Sequence, residues 1–274
     1  MSPTLPSLFR SLLAMTLFIV MLAYADSPQR TWPIVKHYDQ NHLSQIALPI
    51  GGIGTGTVSL GGRGDWRDWE IMNRPAKGFN PGSPFFAIRV MPAKGSPIVR
   101  ALQGPIDPHL YEGAFGVKTA TNPGLPCFRN CSFDASYPFG IVNLSDAGIP
   151  VTVRIKAFNP LIPTDPDASG VPIAIITYEV TNTSRSDLSV SVCGTMQNFI
   201  GNDGTKNVAL RNRNSYRQGT GCSGIFMSSD SVKPDDERWG TMALTTNSGE
   251  GISYRTAWLK AGSVSRVTSW PEAT

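Results

Sequence analysis

Val151, Val153, Ile155 and Ala157 alternate with Thr152, Arg154 and Lys156 without a break. Side chains on a strand point to opposite faces in turn, so this run predicts a half-buried strand with one wet face. The same period sets Phe86, Ile88 and Val90 on one side of 85–90, and Val58 and Leu60 on one side of a short strand. Leu188, Val190 and Val192 alternate in the same way with Ser189, Ser191 and Cys193. Residues 173–180 are almost continuously β-forming and predict a central strand, paired as a hairpin with 188–193 across a polar turn at 181–186. Shorter runs at 98–102, 141–144, 225–227, 241–245, 252–258 and 264–270 add further strands. No window carries a helical period. Short strands broken by frequent turn residues predict an all-β fold, an antiparallel β-sandwich with long loops.

The connections read from turn chemistry. Residues 26–45 are polar and irregular and predict a surface entry segment. Residues 73–84 form a turn-rich excursion. Residues 103–136 carry Gly104-Pro105, Asp107-Pro108, Asn122-Pro123-Gly124 and Pro126, and predict a long surface insertion holding Tyr111 and Phe115. Residues 160–172 form a Pro/Asp/Gly connection, and 198–221 read as a polar, Gly- and Asn-rich loop.

Composition narrows this picture little. Of 274 residues, 27 are Gly and 22 are Pro, as expected for many turns. The net charge is +4, yet no basic run exists, so the charge gives no footprint for nucleic acid. Residues 1–25 read as a secretory signal: Arg10 flanks an apolar core at 12–22, and Ala23-Tyr24-Ala25 is a small-x-small cleavage site. Residues 26–274 then form the mature domain, secreted or periplasmic, with membrane contact only through the leader. An oxidising compartment permits disulfides among Cys127, Cys131, Cys193 and Cys222, with three possible connectivities. Cys127 with Cys131 is a local option, and Cys193 with Cys222 a cross-strand one. His37, His42 and His109 stand far from the cysteines in sequence, so no metal site is expected. No cofactor motif is present. Asn130, Asn143 and Asn182 open N-x-Ser/Thr triplets.

The chain's chemistry concentrates at 48–70. A Gly-rich turn, Gly51-Gly52-Ile53-Gly54-Thr55-Gly56, leads to Arg63-Gly64-Asp65-Trp66-Arg67-Asp68-Trp69-Glu70, read as a loop. Clustered Gly implies positive φ or close backbone approach. A Walker A loop needs Lys where Thr57 stands, and a dinucleotide fingerprint starting at Gly54 meets Ser59 in place of its third Gly. Trp beside Arg and carboxylates is chemistry that suits a sugar, a flat ring face with forked polar groups. Packing a corner of the sandwich is the favoured reading of the two Trp, because large aromatics mostly bury area. Asp65, Asp68 and Glu70 are the acids that share a segment with aromatics. Hydrolysis of a glycoside needs two opposed carboxyl groups, which neighbours in sequence rarely form. Arg63-Gly64-Asp65 also spells an adhesion tripeptide. Arg211, Arg213 and Arg217 with Tyr216 are a further polar cluster, suited to a carboxylate, a sugar or plain solvent.

Three ordered motifs carry a resemblance. The first is Pro49-x-Gly51-Gly52-Ile53-Gly54-x-Gly56 followed by Arg63-Gly64-Asp65-Trp66-x-x-Trp69. The second is Tyr137-Pro138-Phe139 with Ala157-Phe158-Asn159-Pro160-Leu161-Ile162-Pro163, then Pro172 leading into a strand ending at Asn182. The third is Met196-Gln197-Asn198-Phe199-Ile200-Gly201-Asn202-Asp203-Gly204. Together they resemble the N-terminal domain of glycoside hydrolase family 116, the family of non-lysosomal β-glucosidase and glucosylceramidase, over roughly 40–270. The resemblance implies that the catalytic Glu and Asp lie in a C-terminal helical domain, which this chain does not reach before Thr274. It therefore implies a non-catalytic domain, a fragment or truncated product of a β-glycosidase, with no catalytic residue here. The implied partners are that helical domain and a carbohydrate or glycolipid. The segment 51–70 is expected to be the docking edge for it, with Trp66 and Trp69 exposed and Arg63, Arg67, Asp65, Asp68 and Glu70 around them. The alternatives are a free carbohydrate-binding module and a secreted structural or adhesion protein.

Overall fold

A computed structural model of the chain describes residues 35–71, 74–81, 84–106, 125–202 and 211–257. In chain order its strands are β1 (Lys36–Tyr38), β2 (Ala47–Ile50), β3 (Thr57–Gly61), β4 (Trp66–Glu70), β5 (Phe85–Pro92), β6 (Ile98–Ala101) and β7 (Asn130–Ser136). There follow β8 (Phe139–Ser145), β9 (Val151–Phe158), β10 (Ile176–Asn182), β11 (Leu188–Thr195), β12 (Asn212–Gly219), β13 (Cys222–Ser229) and β14 (Met242–Thr246). One α-helical turn, α1 (Pro166–Ser169), precedes β10. Asp165 caps it, its Oδ1 accepting the Ala168 N–H at 2.9 Å.

The strands form four antiparallel sheets, in the orders β1-β7-β8-β9-β10, β11-β5-β6, β2-β3-β4 and β12-β13-β14. The fold is thus the expected all-β sandwich. Its core gathers the inward row of β9 (Val151, Val153, Ile155, Ala157) with Phe133 of β7 and Val142 and Leu144 of β8. Opposite them stand Val58 and Leu60 of β3, Trp66 and Trp69 of β4, and Ile88 and Val90 of β5. The outer row of β9 is wet as expected: Arg154 donates to Glu179 Oε2 at 3.2 Å, and Lys156 pairs with the same carboxylate.

The turn between β8 and β9 holds an ion pair. Asp146 has a side chain only 1% exposed, with its Oδ2 3.3 Å from Arg100 Nε and its Oδ1 3.8 Å from Arg129 Nε. Burial alone would raise its carboxyl. The Gly148 N–H at 2.7 Å and the two guanidinium groups outweigh that and hold it below the ordinary carboxylate value.

Several segments depart from the sequence reading. The entry segment contains β1, an edge strand on β7. Residues 130–136 are a strand inside the five-stranded sheet rather than part of an insertion; 107–124 lie outside the described residues. The alternation in β7 is Cys131, Phe133, Ala135 against Asn130, Ser132, Asp134, and its polar outer row hid it. That row is satisfied on the sheet face, where Asn143 Nδ2 donates to Asp134 Oδ2 at 2.8 Å and His37 Nδ1 lies 2.7 Å from Asp134 Oδ1. The predicted central strand at 173–180 is an edge strand that begins at Ile176, with Ile173 and Ile175 exposed before it. The predicted hairpin is a crossing between sheets: β10 pairs with β9, and β11 pairs with β5. Within 198–221, β12 is a strand. Residues 252–257 are not a strand. The leader at 1–25 and the run at 264–270 lie outside the described residues.

Candidate functional site

The Gly-rich turn joins β2 to β3. Gly51, Gly54 and Gly56 have φ of 94°, 76° and 89°, conformations that side chains with a Cβ rarely adopt. Gly52 has a different reason to be Gly. A Cβ there would lie 2.7 Å from the carbonyl oxygens of Gly170 and Val171, so the turn seats flat on the connection that carries α1. Two hydrogen bonds fix that seat, from Ile53 N–H to Ser169 O at 2.9 Å and from Thr55 O–H to Gly170 O at 2.9 Å.

Asn159 ties a third segment to the same place. Its N–H donates to Pro138 O at 2.9 Å, its Nδ2 to Pro49 O at 3.2 Å, and its Oδ1 accepts from the Tyr137 hydroxyl at 3.2 Å. Thus 49–56, 137–139 and 157–173, far apart in sequence, meet at one end of the sandwich. A cleft of about 370 Å³ opens there, lined by Pro49, Gly54, Thr57, Glu70, Arg74 and Asn159 among others. Around it are exposed apolar side chains: Ile53 on the turn, and Leu161, Ile162, Val171, Ile173 and Ile175 on the connection. Tyr137 and Phe139 are exposed beside Asn159. Exposed apolar groups gathered in one region mark an interaction surface. Asn159 stands in the second of the sequence motifs, but its partners and the exposure of 161–175 were not legible there.

The Arg-Gly-Asp-Trp segment lies differently from its expected form. Residues 63–65 are the turn that follows β3, and Trp66–Glu70 are strand β4 rather than a loop. The register of β4 on β3 pairs Leu60 with Trp66, Ser59 with Arg67 and Thr57 with Glu70, so Val58 faces both Asp68 and Trp69. This is a β-bulge, and Asp68 has a φ of 51° at it. Three residues apart, Trp66 and Trp69 would point to opposite faces of a regular strand. The bulge resets the alternation, and both rings enter the core, 4% and 9% exposed. Trp66 packs against Phe86 with centroids 5.7 Å apart, and Trp69 meets Phe199 edge-on at 5.5 Å. The expectation that these rings form an exposed docking patch is therefore corrected: they are core residues of this domain.

The charged residues of the segment are largely engaged within the chain. Arg63 donates from Nη1 to Gly104 O at 2.8 Å and from Nη2 to Gln103 Oε1 at 3.0 Å, with its Nε 3.7 Å from Asp65 Oδ1. Arg67 Nη1 donates to Ser44 O at 3.0 Å. Asp68 accepts the Gly78 N–H at 2.7 Å and lies 3.7 Å from Arg67 Nε. Lys77 Nζ stands 3.5 Å from Glu70 Oε1. Of the three acids, Glu70 is the one that lines the cleft. Asp68 Oδ2 also lies 3.9 Å from Lys77 Nζ, so one ammonium stands between the Asp68 and Glu70 carboxylates.

The motif at 196–202 acts as a clamp. Asn198 Nδ2 lies within hydrogen-bond distance of Arg213 O (3.2 Å), Ser228 O (3.0 Å) and Asn214 Oδ1 (2.9 Å), while Asn212 Nδ2 donates to Ile200 O at 3.1 Å. It binds the β12–β13 hairpin to the segment whose Phe199 touches Trp69. In that hairpin Arg213 pairs with Asp230, Arg217 lies over the Phe226 ring at 3.4 Å, and Tyr216 stacks on Tyr254. Arg213, Arg217 and Tyr216 are thus each engaged with a different partner within the chain.

No disulfide joins the cysteines. Cys131 is buried in β7 against Gly104, and burial pushes its thiol up to about 12. Cys193 and Cys222 belong to different sheets. Among the described residues no cluster of His, Cys, Asp and Glu could hold a metal ion. A family model described as beta-glucosidase 2, glycosyl-hydrolase family 116 N-term, matches residues 47–272, which includes every motif segment described above.

Proposed function

From its membership of glycosyl-hydrolase family 116, to whose N-terminal part the chain belongs, we propose that it is the non-catalytic β-sandwich of a secreted β-glycosidase and carries a helical catalytic domain on its motif-bearing end. The substrate class of that enzyme is a β-glucoside or glucosylated lipid. One observation carries the reading: the Gly-rich turn, the 137–139 segment and the 157–173 connection converge on one end, and that end is ringed by exposed Ile53, Leu161, Ile162, Val171, Ile173 and Ile175. The docking face lies on this ring rather than on the two Trp.

Two outcomes are expected. The purified chain shows no turnover of aryl β-glucosides, because Asp65, Asp68 and Glu70 are engaged by Arg63, Arg67, Lys77 and the Gly78 N–H, and hydrolysis needs a carboxyl pair free to act on substrate. Turnover that vanishes in Glu70→Gln would refute this. Secondly, a separately produced family 116 helical domain binds the chain, as read by calorimetry. An Ile53→Asp, Ile173→Asp variant binds it about thirty-fold or more weakly, the effect of about 2 kcal/mol at an interface anchor. Equal binding by the variant and the parent would place the docking face elsewhere.

A further inference from the structure

We propose that the free end of the β12-β13-β14 sheet is a binding site for a neutral saccharide, separate from the docking face. The β12–β13 turn and the residues following β14 enclose a cleft of about 410 Å³. That volume lies in the range of small-ligand sites, about 300–1,000 Å³. Tyr216, Gln218, Ser223, Asn247, Ser248 and Glu250 line it, with glycine backbone between them.

The lining chemistry selects the ligand class. Two side-chain amides offer donors and acceptors together, the hydroxyls of Tyr216 and Ser223 do the same, the Ser248 hydroxyl oxygen accepts, and one carboxylate accepts two hydrogen bonds. Such a set matches the adjacent hydroxyls of a sugar. Among the described residues no Lys, Arg or His lines the cleft, so a phosphate or uronate would meet Glu250 without a counter-charge from them. The neighbouring cation, Arg217, is engaged over Phe226. Tyr216 and Ile252 supply a small apolar contribution, too little for a purely apolar ligand but suited to the side of a sugar ring.

The cleft is also held in shape. The Tyr216 ring stacks on Tyr254 with centroids 4.0 Å apart and planes within 3°. Asn214 Nδ2 donates to Thr256 O at 2.8 Å and ties the segment after β14 to β12. The Ser248 hydroxyl donates to Glu250 O at 2.9 Å and fixes the turn between Asn247 and Glu250. Preorganised polar groups lose less ordering entropy on binding than free ones.

Cys222 supplies a reporter, because it is exposed and opens on this cleft, while Cys131 is buried and Cys193 half-buried. The full chain is alkylated with iodoacetamide in the presence of cellobiose, glucose or glucuronate, and each cysteine is followed by peptide mass spectrometry. Cellobiose is expected to slow labelling of Cys222 saturably, glucose to do so more weakly and glucuronate not at all, with Cys193 labelling unchanged. Gln218→Ala and Glu250→Ala each remove one polar side chain at an exposed position and should raise the half-protecting cellobiose concentration about fivefold. Circular dichroism of both variants matching the parent ties that shift to the cleft. Failure of cellobiose to protect Cys222, protection by glucuronate equal to that by cellobiose, or unchanged protection in both variants would overturn the proposal.

Discussion

Changing both Trp66 and Trp69 to Ala is expected to leave the chain unfolded at room temperature. Each buried Trp truncation costs about 3–5 kcal/mol, and a domain of this kind has about 5–15 kcal/mol in all. Both rings belong to the central cluster, and each touches a different aromatic partner, Phe86 and Phe199. The single variants should retain the fold with lower urea midpoints, and the double variant should lack the native near-ultraviolet circular dichroism. The two rings also differ. Trp69 Nε1 is buried with no hydrogen-bond partner among the described residues. Trp69→Phe removes that unmet donor, and so costs less than its loss of ring area implies. A double alanine variant with the parent's midpoint would show that the rings do not hold the core.

Acid should unfold the protein through Asp146. Its folded-state carboxyl lies below the ordinary value, so its contribution is fully present above the unfolded value of about 3.9. That contribution is lost as pH falls through the lowered folded value. Asp146→Ala leaves Arg100, 17% exposed, facing a buried void without its counter-charge. The expected cost near neutral pH is about 2–4 kcal/mol, from the lost pair and the unmet guanidinium. The gap between parent and variant should close as pH drops below about 4, because protonation removes from the parent what the mutation removed from the variant. Urea denaturation of both chains at a series of pH values measures it. A gap that stays constant through that range would mean that Asp146 acts by packing and not by charge.

The legibility of the fold followed the purity of each strand's pattern. β9 could be read residue by residue because one face is wholly apolar and the other wholly wet. β7 was missed because its sequence is short of β-branched residues and its outer row is made of Asn, Ser and Asp. Those residues are stabilised by partners on β1 and β8 that no local window contains. The step from β10 to β11 read as a hairpin because a polar turn between two β-rich runs looks the same whether the chain pairs back or crosses to another sheet. Asn182 Oδ1 accepts from the Ser184 N–H at 2.8 Å in that turn, a local bond that is silent about where the next strand goes. The pairing of the two Trp on one face rests on one bulge residue, Asp68, whose backbone state depends on the opposite strand. At the candidate site, the importance of the Gly-rich turn was legible because close approach demands Gly. The surface around it was not, since exposure of Ile173 and Ile175 depends on where β10 begins.

The crossing of the chain between sheets also sets an order of assembly. β1 must wait for β7, and β5 must wait for β11, before either sheet has all its edges joined. Each closure spans a long loop of chain, and such closures lose entropy before contacts compensate. A nascent chain that has made β5 and β6 therefore carries an open, largely apolar strand edge, Phe85–Pro92, while all of 102–187 is still being synthesised. Open edges of this composition are templates for the wrong partner. Aggregation during that interval is expected to limit yield in production, and a holdase or a lower temperature at that stage is expected to raise it.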